Sequence, residues 1–412
     1  MRRGHEILIF TGSGASPEAE HFDRYEYDGI EVIRFNKGRS EHDELTNEYD
    51  NRFVADYFAG LLKEFSPDVV HFFHWANISA SIVDVCRSSG VPMVLTPTDF
   101  WYVCHMAHLR LPGNEMCSGP DKNRLNCLCH LDTTTKPEKS IVRLMPGWLL
   151  SLLLWSAGRG LLQQSRFSFV NWVVKRPAFL LERMNRMCKI MVPSRLMEGI
   201  FAENGVDPAL MEFAPFGLNL SYIRSKIRTE SDLPLQVGFI GLLAEHKGIN
   251  ILIDAFKSLP KKCAAELVVY GENKLQPEFE LHLKKIASED SRIRFAGTFS
   301  NDQIGRVFSE IDLLVVPSIW YENTPLVIYS AQAAGCPVVA TNLGGMAEVV
   351  KNGVNGILFE SGDVPELRKI LLGLAEDREQ LRKLSEGSVT PRSIEDYVDQ
   401  LLGAYEKAVC VV

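Results

Sequence analysis

The stretch Pro317-Ser318-Ile319-Trp320-Tyr321-Glu322-Asn323-Thr324-Pro325-Leu326-Val327-Ile328-Tyr329-Ser330-Ala331-Gln332-Ala333-Ala334-Gly335-Cys336-Pro337-Val338-Val339-Ala340-Thr341 ends the apolar run that begins at Leu313. It reads as the end of a buried strand, a turn holding one carboxylate, a helix, and a Gly-Cys-Pro turn into another strand. A helix start of this kind offers backbone N–H groups and the positive end of a dipole, which suit a phosphate or an anionic leaving group. Glu322 lies at its mouth, where a carboxylate can accept hydrogen bonds from sugar hydroxyls. The plain alternative is a capping Glu on an ordinary strand-to-helix turn.

Similar β-branched runs recur ahead of this stretch, separated by helical patterns: Glu6 to Phe10, Gly29 to Phe35, Val69 to Phe73, Pro92 to Thr96, Ile190 to Pro193, Gln236 to Ile240, Ala265 to Tyr270 and Arg292 to Phe295, with Leu313 to Pro317 and Pro337 to Thr341 at its two ends. Such alternation predicts α/β architecture with parallel sheets covered on both faces. The polar stretch Ser221 to Pro234 reads as a linker, giving an N-terminal domain over 1–217 and a C-terminal domain over 218–390. Ile394, Tyr397, Leu401, Leu402 and Tyr405 recur at helical spacing, so 391–412 is expected to be a closing helix.

A length of 412 residues suits two such domains, and 46% hydrophobic with 23% charged residues excludes a disordered or low-complexity chain. The net charge of -8 argues against a general nucleic-acid binder, which needs a basic balance to neutralise phosphates. That charge is polarised. Between Thr133 and Ile190 ten Lys/Arg face only Glu138 and Glu182, a local +8, and Trp148, Trp155 and Trp172 lie in the same segment, about 136–189. The apolar run Gly147 to Trp155 is too short to span a bilayer. Two readings stay open: core-packing helices with a solvated basic rim, or a helix lying on an anionic membrane surface. Nine cysteines without a signal-peptide pattern fit a reducing compartment, hence a cytoplasmic expectation.

Four of those cysteines, Cys104, Cys117, Cys127 and Cys129, cluster in an insertion at about 100–135. A tetrahedral thiolate site for structural zinc would staple such a loop-rich stretch, while free thiols and disulfides remain alternatives. Gly12-Ser13-Gly14 after the first strand lacks the third glycine of a dinucleotide-binding fingerprint.

Taken with Val237-Gly238-Phe239-Ile240-Gly241, His246-Lys247-Gly248, Val269-Tyr270-Gly271, Phe295-Ala296-Gly297-Thr298, Leu343-Gly344-Gly345-Met346-Ala347-Glu348 and Asn355-Gly356-Ile357-Leu358-Phe359, the opening stretch resembles the C-terminal domain of retaining glycosyltransferases of family 4. Gly4-His5-Glu6, Pro67-Asp68-Val69-Val70-His71, the Asp99 turn and Ala214-Pro215-Phe216-Gly217 extend the resemblance through the N-terminal half. It implies the GT-B fold: two Rossmann-like doubly wound domains facing a central cleft, the end helix crossing back to the first.

The resemblance further implies that Lys247 binds the pyrophosphate of a nucleotide diphosphate sugar and that Gly241 lets backbone approach it. It gives Glu322 the donor hexose, the turn Asn323, Thr324, Pro325 and Leu326 the phosphate and sugar through its N–H groups, which Pro325 lacks, Thr298 and Phe299 the base, and Asp99 the acceptor-side turn, with Glu322, Lys247 and Asp99 as the catalytic residues. It also implies transfer to a glycan or lipid-linked acceptor with retention, no essential metal, and a place at the cytoplasmic membrane face in polysaccharide or glycoconjugate biosynthesis. Three departures stand out. Ser330 occupies the position of the family's second, ribose-holding Glu, where its uncharged hydroxyl is expected to bond the donor ribose more weakly; Leu242 replaces a pyrophosphate-binding Arg; and the chain begins at a turn that the family precedes with one βα unit, so a truncated start is expected. These departures favour the competing expectation, a catalytically silent GT-B protein that binds a glycan or a partner.

Overall fold

The computed structural model describes residues 3–16, 20–38, 45–111, 115–129, 144–162, 167, 169–226, 233–274, 276–323 and 325–410. The chain forms two compact units, one of Met1–Val192, Met197–Phe213 and Leu402–Val412, the other of Pro193–Leu196 and Ala214–Leu401. The main boundary thus falls after Phe213, four residues before the expected one.

In the first unit, β1 (Leu8–Ser16) pairs in parallel with β3 (Ile30–Gly38), and β2 (His21–Tyr27) pairs with β3 antiparallel. Asp28 and Gly29, at φ 52° and 75°, make the two-residue turn between β2 and β3; Asp-Gly is the pair such a turn favours. Helix α1 (Arg52–Phe65) starts at Asn51, whose side chain accepts from the Val54 N–H, and buries Val54, Phe58, Leu61 and Leu62. A second sheet, all parallel, runs β4 (Val70–Phe72), β5 (Met93–Leu95), β6 (Lys189–Val192), β7 (Met211–Phe213), with α2 (Ile82–Ser88) between β4 and β5. The insertion between β5 and β6 holds α3 (Leu125–Cys129), α4 (Gly147–Gly158) and α5 (Phe169–Met184), and α6 (Arg195–Glu203) follows β6. The described strands of this unit therefore form sheets of three and four rather than one continuous sheet.

Arg176 and Arg183 of α5 are buried, Lys175 is exposed, and Arg186 just beyond the helix is half-buried. Arg176 is 2% exposed, with its guanidinium 4.3 Å from the Trp101 ring centroid and a 2.6 Å hydrogen bond to the Trp101 carbonyl. Arg183 and Arg186 both pair with Asp84. The charge read as a solvated rim is, at these three positions, spent inside the unit.

The second unit is built on one six-stranded parallel sheet. Its elements run β8 (Leu235–Ile240), α7 (Ile249–Lys257), β9 (Ala265–Tyr270), α8 (Pro277–Ala287), β10 (Ile293–Gly297), α9 (Ile304–Glu310), β11 (Leu313–Val316), α10 (Leu326–Ala333), β12 (Val338–Thr341), α11 (Gly344–Val349) and β13 (Gly356–Phe359). The strand order is β10-β9-β8-β11-β12-β13. Alternate residues feed two cores: Val237, Leu267, Val269, Leu313 and Val315 pack with Leu252 and Phe256 on one face, while Val268, Tyr270, Leu314 and Val316 pack with Phe308 and Ile328 on the other. That two-sided burial is why these strands read as continuous apolar runs. Helices α12 (Val364–Glu376) and α13 (Arg378–Glu386) follow, then α14 (Ile394–Val409), whose residues from Leu402 onward belong to the first unit.

Candidate functional site

The winding of the second sheet reverses between β8 and β11, and crevices outside the carboxyl ends of strands at such a point are where doubly wound sheets take ligands. Two loops meet there. Gly248, at φ 69°, lies so close to the end of β11 that an added Cβ would stand 1.9 Å from the Pro317 carbonyl oxygen. The Ile319 N–H donates to the His246 carbonyl at 2.9 Å, fastening the β8 loop to the β11 loop. On the other side the Gly345 N–H donates to the Glu322 carbonyl at 2.9 Å, and a Cβ on Gly345 would meet the Asn323 carbonyl at 1.9 Å.

This fastening brings Lys247 and Glu322 together. The Lys247 ammonium stands 2.6 Å from Glu322 Oε1, which also accepts from Ser318 Oγ and Trp320 Nε1, each at 2.8 Å. Glu322 is only 8% exposed. The ammonium lies 4.9 Å from the Trp320 ring centroid, and His246 packs edge-on against that ring. A nearly buried anion held by three donors keeps its orientation when one donor leaves. Ser318 and Trp320 were not singled out from the sequence; their signal was two side-chain donors placed four and two residues before Glu322.

Asn323 is buried, its side-chain oxygen accepting from Ser194 Oγ at 2.7 Å. Thr324 lies outside the described residues. Pro325 precedes α10 without a side-chain cap, and Leu326 opens the helix 46% exposed. The Gly241 N–H donates to the Tyr270 carbonyl at 3.1 Å, and a Cβ there would meet only the Phe239 ring at an ordinary 3.5 Å. Thr298 is exposed beyond β10, and Phe299 packs edge-on to Tyr270, ring centroids 5.5 Å apart. Leu242 is 46% exposed and puts no cation here; exposed Arg306 pairs with Glu310 on its own helix. Ser330 is 5% exposed, and its hydroxyl donates to the Leu326 carbonyl at 3.0 Å, one turn back in α10.

Asp99 belongs to the first unit. Its carboxylate accepts the Trp101 N–H at 2.8 Å, and His74 Nε2 stands 3.1 Å from both oxygens. Because His74 Nδ1 accepts the Ala76 N–H, the ring proton is assigned to Nε2, which donates to Asp99. His71 bonds Tyr405 and Thr96, and burial pushes its pKa down to about 4, so the ring is neutral.

Cys104, Cys117 and Cys127 line one small cavity with Leu109 and Asn126. Burial, then the neighbouring Cys104 and Cys117, push the Cys127 thiol up to about 12. None of the described cysteines is in a disulfide, and the side chain of Cys129 lies outside the described residues. Among the described residues no group of three or more His, Cys, Asp or Glu is arranged to hold a metal ion.

Two family models match: "Glycosyl transferases group 1" over residues 234–377, the sheet carrying Lys247 and Glu322, and "Glycosyl transferase 4-like domain" over residues 1–124. An uncharacterized glycosyltransferase of Methanocaldococcus jannaschii is 31% identical over 159 residues, 37% of this chain and 39% of that protein. The D-inositol 3-phosphate glycosyltransferase of Mycobacterium marinum is 29% identical over 49% of this chain and 46% of its own. The chain thus spans about half or less of the curated relatives it matches. Anabaena HepE, solved with UDP and glucose, superposes with a TM-score of 0.61 at 16% identity, covering 98% of this chain and 100% of that one. Sucrose-phosphate synthase from Thermosynechococcus elongatus gives 0.67 at 16% identity, covering 100% and 91%. By its two matched domains and its fold, the chain belongs to the family 4-like glycosyltransferases of GT-B architecture.

Proposed function

We propose that the protein transfers a hexose from a uridine diphosphate sugar to a glycan or lipid-linked acceptor with retention of configuration, in polysaccharide or glycoconjugate biosynthesis. The single observation that carries this reading is the Lys247–Glu322 pair at the switch point of the second sheet. When a donor enters, its diphosphate competes for the Lys247 ammonium, and Ser318 with Trp320 keeps the Glu322 carboxylate aimed at the sugar hydroxyls. The bond from the anomeric carbon to the diphosphate oxygen breaks while the acceptor oxygen bonds the same face. The acceptor proton passes to the leaving phosphate. Lys247 and the first amides of α10 stabilise the charge that develops there, the kind of preorganised electrostatics that supplies a large catalytic share. UDP is chosen as the nucleotide because HepE is solved with it. Asp99, oriented by His74, is the acceptor-side residue of this reading, and peripheral attachment at the cytoplasmic face of a membrane is part of it.

A panel of nucleotide sugars, read by thermal shift and by UDP release, tests the proposal. One UDP-sugar should raise the melting temperature and turn over with an acceptor, as binding to the folded state alone requires of the shift. No shift with any donor would overturn it. Exposed Leu242 and inward-turned Ser330 favour a second reading, a catalytically silent binder; a shift without turnover is its signature. Structural zinc in the Cys104, Cys117, Cys127, Cys129 insertion is a separate proposal, tested by metal analysis of the purified protein before and after Cys127→Ser.

A further inference from the structure

We infer that the outer face of α4 docks on the headgroup boundary of an anionic bilayer. This deepens the peripheral part of the proposed function by naming the surface that makes the contact. Helix α4 contains no charged residue. Leu150, Leu154 and Ala157, spaced i, i+4, i+7, are 5%, 8% and 0% exposed and form the face that packs in the unit, where α4 lies against α5. Trp148, Leu152 and Trp155 repeat the same spacing on the opposite face and are 70%, 50% and 52% exposed. Leu144 and Leu161, just beyond either end, are 86% and 65% exposed. A helix on a protein surface ordinarily turns polar residues outward. Here even the exposed Ser151 spends its hydroxyl on the Gly147 carbonyl, 3.0 Å away.

Three features select lipid as the occupant. The Arg159 guanidinium lies 3.7 Å from the Trp155 ring centroid, which stacks a cation on an indole at the helix end; side chains with apolar bodies and polar tips settle at the headgroup level. From Thr133 to Lys175 the sequence carries Lys136, Lys139, Arg143, Arg159, Arg166 and Lys175 against Glu138 alone, on a chain whose net charge is -8. Anionic headgroups therefore attract this segment more than the remainder. The helix has no acid or amide side chain with which to read a protein partner. Twelve residues cannot span a bilayer, so the helix would lie in its surface plane. Since Arg176, Arg183 and Arg186 are engaged internally, insertion of Trp and Leu carries more of the contact than the basic composition suggests.

The test uses the full chain with vesicles of phosphatidylcholine alone and of phosphatidylcholine with about a third phosphatidylglycerol, read by sedimentation and by quenching of Trp fluorescence with brominated lipid. The expected result is quenching and binding at least ~10-fold tighter to the anionic vesicles. Trp148→Ser with Trp155→Ser should weaken binding at least ~10-fold, while melting temperature and nucleotide-induced shift stay as in the parent. Failure to bind anionic vesicles, or equal binding by the double variant, would overturn the inference. So would light scattering that shows a dimer which the double variant dissociates, because a second copy would then cover the face. Vesicle binding and nucleotide shift are read separately, so failure of the docking surface is distinguishable from failure of the transferase reading.

Discussion

The two units use their sheets differently. In the second, six strands join in one sheet, and its two central strands end in loops that bring Lys247 and Glu322 into contact. In the first, the described strands form two sheets, and the chemistry is dispersed: a His74–Asp99 pair, a cavity lined by thiols, and the bare face of α4. A site made where a continuous sheet reverses its winding gathers motif residues that are far apart in sequence. Residues hung on short, separate sheets must be held by their own local bonds, as His74 is by the Ala76 N–H.

If the second unit is where function concentrates, Glu322→Gln should give the largest loss, on the order of 10²–10³ in turnover. It keeps the shape but removes the anion that Lys247, Ser318 and Trp320 address. Parent-level turnover would break the comparison. Lys247→Ala should lower turnover about 10²-fold and abolish the nucleotide-induced thermal shift. The first unit should answer to pH rather than to donor. His71 is held neutral by burial, which pushes its pKa down to about 4 from the ordinary histidine value of about 6.5. Its contribution is complete above the unfolded value of about 6.5 and is lost as pH falls from there towards 4, because the unfolded chain takes the proton first. Denaturant melts across that window should show roughly 2–3 kcal/mol of lost stability, and His71→Gln should flatten the slope. Gly248→Ala forces a side chain into a left-handed backbone and against the Pro317 carbonyl, and should cost at least ~2 kcal/mol in the second unit by thermal melting. The smallest effect belongs to Ser330→Ala. With the hydroxyl already turned to Leu326, steady-state kinetics should change less than about threefold, and a larger loss would return Ser330 to the site.

The second sheet was legible because each βα step is local and its inner strands β8, β9, β11 and β12 are largely buried on both faces, so their runs are mostly apolar. Pairing in the first unit is not local. Strand β2 is an edge strand with alternating polar residues, and only Asp28-Gly29 marked it. The first strand continues past Phe10 through Gly12-Ser13-Gly14, a stretch whose glycines suggested a loop; Gly12 is there because Asn77 backbone passes too close for a side chain. At the site, the identities of Lys247 and Glu322 were readable, whereas the grip of Ser318 and Trp320 depends on how the β11 loop curls back. The composition of α4 left a core-packing helix and a membrane-surface helix open; one of its faces is buried and the opposite face is exposed.

Helix α14 sets a practical limit on dissecting the protein. Its residues up to Leu401 belong to one unit and those from Leu402 to the other, where Tyr405 meets His71 at 2.5 Å. A fragment stopped at Phe213 therefore lacks a piece of its own unit. Anyone expressing that half alone has to supply the last residues as a fused or added peptide.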